Sequence, residues 1–251
     1  MFSRPVTKVR QLNPESPSGG FKAYIDLVFC VDVSSSMELH IENVRRLISR
    51  LIADLPEMSD SKGIPLTDMR ARIVPFASGD DKLPDTEFAS VLTREGRLRG
   101  RGLKGANRFV SELVSSTAIQ SDSDGLPRGL DALWRAMTSN WVNHRKSRQV
   151  IVLFSDSPPH LSGPAVADAT DDAPWALPIT LDGLTDLWHD PSGIGLHPAG
   201  SFLILFAPDV PPWTDIGDSW RGNVLLPSSA GEGLSDLEFN AVYEVLLNSW
   251  I

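Results

Sequence analysis

A chain of 251 residues, 41% hydrophobic and 22% charged, has the make-up of a globular protein with one substantial core; two full domains would be small ones. Its net charge of −9 speaks against a general nucleic-acid binder, and its single cysteine rules out a disulfide framework within the chain. No window approaches the roughly 18 apolar residues of a membrane span, and Met-Phe-Ser-Arg-Pro lacks the apolar segment of a secretory signal, so a cytoplasmic protein is expected.

In chain order, residues 1–20 carry Pro5, Pro14, Pro17, Gly19 and Gly20 without an apolar period. They read as a flexible or loosely docked arm, and one domain follows over 21–251. Ile25 to Val31 is apolar except for Asp26, the pattern of a buried central strand, with Cys30 as a small core side chain. Met37, Ile41, Val44, Ile48, Leu51 and Leu55 then recur every three or four residues and predict an amphipathic helix. Pro56 to Asp68 reads as a polar connection. Met69 to Phe76 predicts a second strand, which Pro75 should end early or place toward an edge. Phe88 to Leu92 is its candidate hairpin partner.

Arg94, Arg97, Arg99, Arg101, Lys104 and Arg108 make a basic stretch, but no aromatic is interleaved and no Walker spacing is present. A solvated loop is expected there, and nucleic acid is not an expected partner. Ala106 to Ser116 predicts a short helix, 121–125 a polar turn, and Leu126 to Trp141 a helix through Leu130, Leu133, Trp134, Met137 and Trp141. Gln149 to Phe154 is a second fully apolar strand, ending in Ser155-Asp156. A long loop insertion around 157–200 follows, rich in Pro, Gly and Asp; within it Leu181 to Trp188 predicts a short helix capped by Thr180 or Asp182. Phe202 to Phe206 and Asn223 to Leu226 predict two more strands, and Asp236 to Trp250 a closing helix. Trp175, Trp213 and Trp220 fall in Pro/Asp-rich loops, where they would cover the sheet edge or face a partner. Apolar strands separated by helical patterns imply a mostly parallel sheet covered on both faces.

The residues with chemistry gather at strand ends. Asp32-Val33-Ser34-Ser35-Ser36 stands where the first strand turns into a helix, and three of its residues offer oxygen donors two apart. Open α/β folds put their sites outside the carboxyl ends of strands. A carboxylate with two hydroxyls suits a hard cation, Mg²⁺ or similar. Asp156 repeats the arrangement at a second strand end. Asp32, Asp124 and Asp156 brought together would repel one another unless a cation or extra protons intervened.

These motifs resemble those of the von Willebrand factor type A domain family over about residues 21–251. Its metal-ion-dependent adhesion site opens with Asp-x-Ser-x-Ser, matched by Asp32, Ser34 and Ser36, and a later loop carries an Asp at a strand end, matched by Asp156. Ser157-Pro158-Pro159-His160 resembles the continuation found in a subset of members. The resemblance implies a three-layer αβα Rossmann-like fold, with a mostly parallel sheet of about six strands and one antiparallel edge strand. It implies Ser34 and Ser36 as direct ligands and Asp32 as a direct or water-mediated one. Its second loop carries over to Asp124, with Asp122 and then Ser123 as competitors, and Arg128 stands where members often have an acid. His160 is expected to be structural or solvent-facing.

The implied function is a non-catalytic, divalent-cation-dependent protein-interaction module. Mg²⁺ is the expected ion, with Mn²⁺ or Ca²⁺ as alternatives. The expected partner is a protein whose acidic side chain completes the metal's shell; in cytoplasmic bacterial members this is often an ATPase or a regulatory component. Two alternatives stand beside it. One is a scaffolding domain with a degenerate metal site. The other is a Mg²⁺-dependent phosphohydrolase, against which Ser34 occupies the position of a second carboxylate. Gly-x-Ser-x-Gly does not occur, and the Gly-x-Gly-x-x-Gly at Gly100, Gly102 and Gly105 lies within the basic loop, not directly after a predicted strand.

Overall fold

The computed structural model describes residues 23–78, 83, 85–92, 111, 126–142, 144, 146–160, 180–191, 194–232, 240, 242–244 and 246–247. The arm at 1–20, the basic stretch, the turn at 121–125, Trp175 and, apart from Ser111, the helix expected at 106–116 lie outside them.

The elements run β1 (Ala23–Asp32), a 3-10 turn (Ser35–Leu39), α1 (Ile41–Ser61), β2 (Leu66–Phe76), β3 (Ala89–Ser90), α2 (Gly129–Met137), β4 (Ser147–Phe154), α3 (Leu181–His189), β5 (Ser201–Ala207), α4 (Trp213–Ser219) and β6 (Asn223–Pro227). The sheet order is β3-β2-β1-β4-β5-β6, parallel throughout except for the antiparallel edge strand β3. Successive strand residues face opposite sides. Ile25, Leu27, Phe29 and Val31 therefore pack with α1 and with Val242, Tyr243, Leu246 and Leu247 of the closing helical segment. Val28 and Cys30 pack with α2, α3 and α4 on the other face. Both faces of β1 are buried, which accounts for its near-continuous apolar run. Cys30 is a core side chain, its thiol pushed up to about 12 by burial.

The structure departs from the sequence reading at α1, α2 and α4, and at β2 it decides between the two readings of Pro75. α1 runs through Pro56 to Ser61. Proline forfeits one bond to Ile52, but the turns beyond it bury Ser59 and pack Met58 on the core. The stop is Gly63 at φ 73, with the Ile64 amide donating to the Ser59 carbonyl at 2.9 Å. Pro75 does not end β2, where it lies beside Val31; the other expectation, a place toward an edge, holds, since β2 is next to the outermost strand. The Pro75 carbonyl, like that of Ile73, faces away from β1, accepting from Arg135 at 2.7 Å, and β3 pairs only with Arg70 and Ala71, so no ladder donor is lost. α2 is shorter than expected, starting after Pro127 and ending before buried Trp141. Finally, α4 was not anticipated: Trp213, Ile216 and Trp220 point inward at a three- and four-residue spacing, so Trp213 and Trp220 are core residues, not an exposed partner surface.

Near the amino end of β1, Asp26 and Arg70 form a buried ion pair, with the Arg70 Nε donating to Oδ1 at 2.7 Å and the Val142 amide donating to Oδ2 at 2.7 Å. Burial pushes the Asp26 carboxyl up, and the Arg70 guanidinium works against that rise.

Candidate functional site

From β1 the strand order runs to β2 on one side and to β4 on the other, so the carboxyl ends of β1 and β4 meet at the topological switch point of the sheet. The last β1–β4 pair is Val31 with Phe154, which puts Asp32 and Ser155 side by side just beyond it. Asp32 is wholly buried. Its Oδ1 accepts from the Ser34 amide at 3.0 Å and from the Ser34 hydroxyl at 2.7 Å, folding the chain back over the strand end. Its Oδ2 accepts from the Ser155 hydroxyl at 2.8 Å. Ser36 Oγ stands 3.1 Å from Ser34 Oγ and 3.0 Å from Asp156 Oδ1.

The structure thus brings Asp32, Ser34, Ser36 and Asp156 into one row of oxygens, linked at 2.7, 3.1 and 3.0 Å. Those three links have only the two hydroxyl hydrogens of Ser34 and Ser36 to share, since ionised carboxylates bring none. When each serine donates to its carboxylate, the Ser34–Ser36 contact has no proton, and two sets of lone pairs face each other. Burial pushes the Asp32 carboxyl up to about 6, against the hydrogen bonds from Ser34 and Ser155 that lower it, and the nearby Asp156 charge adds to the rise. A surplus of acceptors and a carboxylate that resists ionisation are both relieved by a cation. The residues fit one, and Ser36, exposed between Ser34 and Asp156, leaves an approach from solvent.

Backbone bonds hold the loops. The Val33 amide donates to the Phe76 carbonyl at 2.8 Å, the Ser155 amide to Phe206 at 3.0 Å, and the Ala230 amide to Ser155 at 2.9 Å. The His160 amide donates to Pro127 at 2.7 Å and the Arg128 amide to Ala77 at 3.1 Å, tying the start of α2 to the third loop of the site, the one after β4 that carries Asp156, and to the end of β2. The indole N–H of Trp213 donates to the Ser157 carbonyl at 3.0 Å.

Asp124, with its competitors Asp122 and Ser123, lies outside the described residues, so the second arm of the site is a sequence assignment only. Among the described residues no group of three or more His, Cys, Asp or Glu side chains is placed to hold a metal; the described donors are two carboxylates and two hydroxyls. His160 is exposed, and the Arg128 guanidinium meets Asp131 at 3.4 Å. Ser155 is the contributor that sequence reasoning passed over. Its signal was register: pairing Gln149–Phe154 with the first strand sets Ser155 opposite Asp32.

No family model matches the chain, and no curated relative matches it. Solved structures do. The pilus adhesin SpaC of Lactobacillus rhamnosus GG, in its open conformation, aligns at TM-score 0.53 and 14% identity, over 91% of this chain and 30% of that one. A second SpaC crystal form gives 0.51 and 12%, over 91% and 31%. Proximal thread matrix protein 1 from the mussel byssus, in a structure with a zinc-occupied metal-ion-dependent adhesion site motif, aligns at 0.47 and 11%, over 90% and 47%. This chain spans less than half the length of each. At these identities the likeness is one of fold: the three-layer αβα arrangement is von Willebrand factor type A-like. No helix among the described residues is long and apolar enough to cross a membrane.

Proposed function

We propose that the chain is a divalent-cation-dependent protein-interaction module, in which Asp32, Ser34, Ser36 and Asp156 hold Mg²⁺ and a partner's carboxylate completes the shell. The observation that carries this reading is the row of oxygens with fewer protons than contacts, set at the switch point of the sheet. Its spacing admits a small ion. Ligands at right angles about 2.1 Å from Mg²⁺ stand about 3.0 Å apart, whereas the longer bonds of Ca²⁺ spread them to about 3.4 Å. The Ser34–Ser36 and Ser36–Asp156 separations of 3.1 and 3.0 Å, which are hydrogen-bond distances here, are compatible with the first value. Mn²⁺ is the natural substitute. Asp124 supplies the further carboxylate in this proposal.

Ser34 and Ser36 are neutral ligands in this proposal, and a partner's carboxylate would enter by direct coordination at a position of the shell that the chain does not fill. We read the role as binding, not catalysis, because a hydroxyl, Ser34, stands where a phosphohydrolase would carry its second carboxylate. A protein partner is supported by the surroundings. The exposed large apolar side chains among the described residues are Leu39, Leu126 and Val210, all on segments at the carboxyl edge of the sheet. Leu39, 89% exposed, lies three residues beyond Ser36.

The test is capture from a lysate of the source cell on immobilised chain. A partner retained in Mg²⁺, released by EDTA and absent from an Asp156→Ala column supports the reading. Identical captures under all three conditions overturn it in favour of a cation-independent scaffold.

A further inference from the structure

Trp213 is buried, yet its side chain reaches two of the segments that shape the site. Its indole N–H donates to the Ser157 carbonyl at 3.0 Å, one residue beyond Asp156. The far edge of the same ring lies over Gly129, the first residue of α2: a Cβ built on Gly129 would stand 2.7 and 3.0 Å from ring carbons of Trp213 and 3.2 Å from Pro159. Glycine at that position is what lets the ring slide between the start of α2 and the third loop.

The hydrogen bond also bears on Asp32. Ser155 Oγ lies 2.8 Å from Asp32 Oδ2 and 3.0 Å from the Ser157 carbonyl, and it has one proton for both acceptors. With one lone pair of the Ser157 carbonyl already engaged by Trp213, that carbonyl is the weaker of the two acceptors, and the Ser155 proton goes to the charged Asp32 carboxylate. Removing the indole donor leaves a carbonyl that competes better for that proton.

We propose that Trp213 is a positioning residue of the cation site: from the opposite layer of the fold it fixes the Ser157 carbonyl, and through Ser155 the hydrogen bonding of Asp32. The proposal rests on the cation-binding reading above. Trp188 provides the control. It is likewise buried, donates its indole N–H to the Arg221 carbonyl at 2.9 Å and stacks on Trp220, and none of these contacts involves a site residue.

The experiment measures Mg²⁺ affinity by calorimetry, and melting temperature in EDTA, on the full chain and on Trp213→Phe, Trp188→Phe and Gly129→Ala. Outer-sphere partners of metal ligands change affinity by about tenfold or more. Trp213→Phe, which keeps the ring packing and loses the donor, is expected to weaken Mg²⁺ binding by about that factor. Gly129→Ala, which forces the ring away, should follow it. Trp188→Phe should lower the melting temperature comparably while leaving affinity unchanged. Equal affinity in Trp213→Phe and wild type overturns the proposal, as does an equal loss in Trp188→Phe. Wild type that takes up no Mg²⁺ overturns the cation reading itself, a separately visible outcome.

Discussion

Asp32→Asn turns the electrostatics of the site into a stability measurement. Burial, reinforced by Asp156, raises the Asp32 carboxyl from 3.8 to about 6. A shift of about two pH units, at 1.36 kcal/mol each, means that ionised Asp32 costs the cation-free fold about 3 kcal/mol at neutral pH. The sign follows from linkage. With the folded value above the unfolded one, the fold is favoured below about 3.8, and that advantage is lost as pH rises to about 6. Asparagine keeps the shape, and its carbonyl still accepts from Ser34. Its amide turns Ser155 into an acceptor, whose proton then goes to the Ser157 carbonyl 3.0 Å away. Allowing about 1–2 kcal/mol for weakened hydrogen bonds, the variant should be more stable than wild type in EDTA at pH 7.5 by about 1–2 kcal/mol, or a few degrees in a chain of this size. At pH 4.5 the difference should shrink or reverse. Adding Mg²⁺ should raise the melting temperature of wild type and leave the variant unchanged. A variant that melts below wild type in EDTA at pH 7.5 would refute the reasoning.

Other consequences are as open to test. Cation binding should release a proton below about pH 6, with affinity falling toward tenfold per pH unit as Asp32 protonates; calorimetry in buffers of different ionisation enthalpy reads this directly, and a flat profile from pH 5 to 7.5 would contradict it. Arg70→Met strands the Asp26 carboxyl with only the Val142 amide, which should cost about 3–5 kcal/mol in urea unfolding. A loss below about 1 kcal/mol would show the pair to be dispensable. Leu39→Ser should leave the melting temperature unchanged, since Leu39 is 89% exposed, while weakening capture of the Mg²⁺-dependent partner; unchanged capture removes Leu39 from the interface.

The parts of the fold that could be read from sequence are those where one physical signal dominates. β1, β4 and β5 are buried on both faces, so their apolar runs admit few other readings. Asp32 and Asp156 were legible for the same reason, because each closes such a run. Elements decided by tertiary context were harder. Pro56 and Pro75 look like breaks locally, but α1 is carried past one by the burial of Ser59, and β2 turns the other toward a side with no ladder partner. α4 was hidden because Thr214, Asp215, Gly217, Asp218 and Ser219 surround its three apolar contacts. With it was hidden the bond from Trp213 to Ser157, which no local pattern reports. Ser155 needed the β1–β4 register before its hydroxyl could be paired with Asp32.

The central claim is that one cation is shared by the oxygens of Asp32, Ser34, Ser36 and Asp156. Its most direct test is calorimetric titration of Mg²⁺ into chelator-stripped chain at pH 7.5, alongside Ser36→Ala. Ser36 is exposed and makes both the 3.1 Å and 3.0 Å links of the row, so its removal should spare the fold and break the site. One saturable site in wild type, weakened by about tenfold or more in Ser36→Ala at an unchanged melting temperature in EDTA, is the predicted result. Saturation with the same affinity in both proteins, or in neither, would contradict the account.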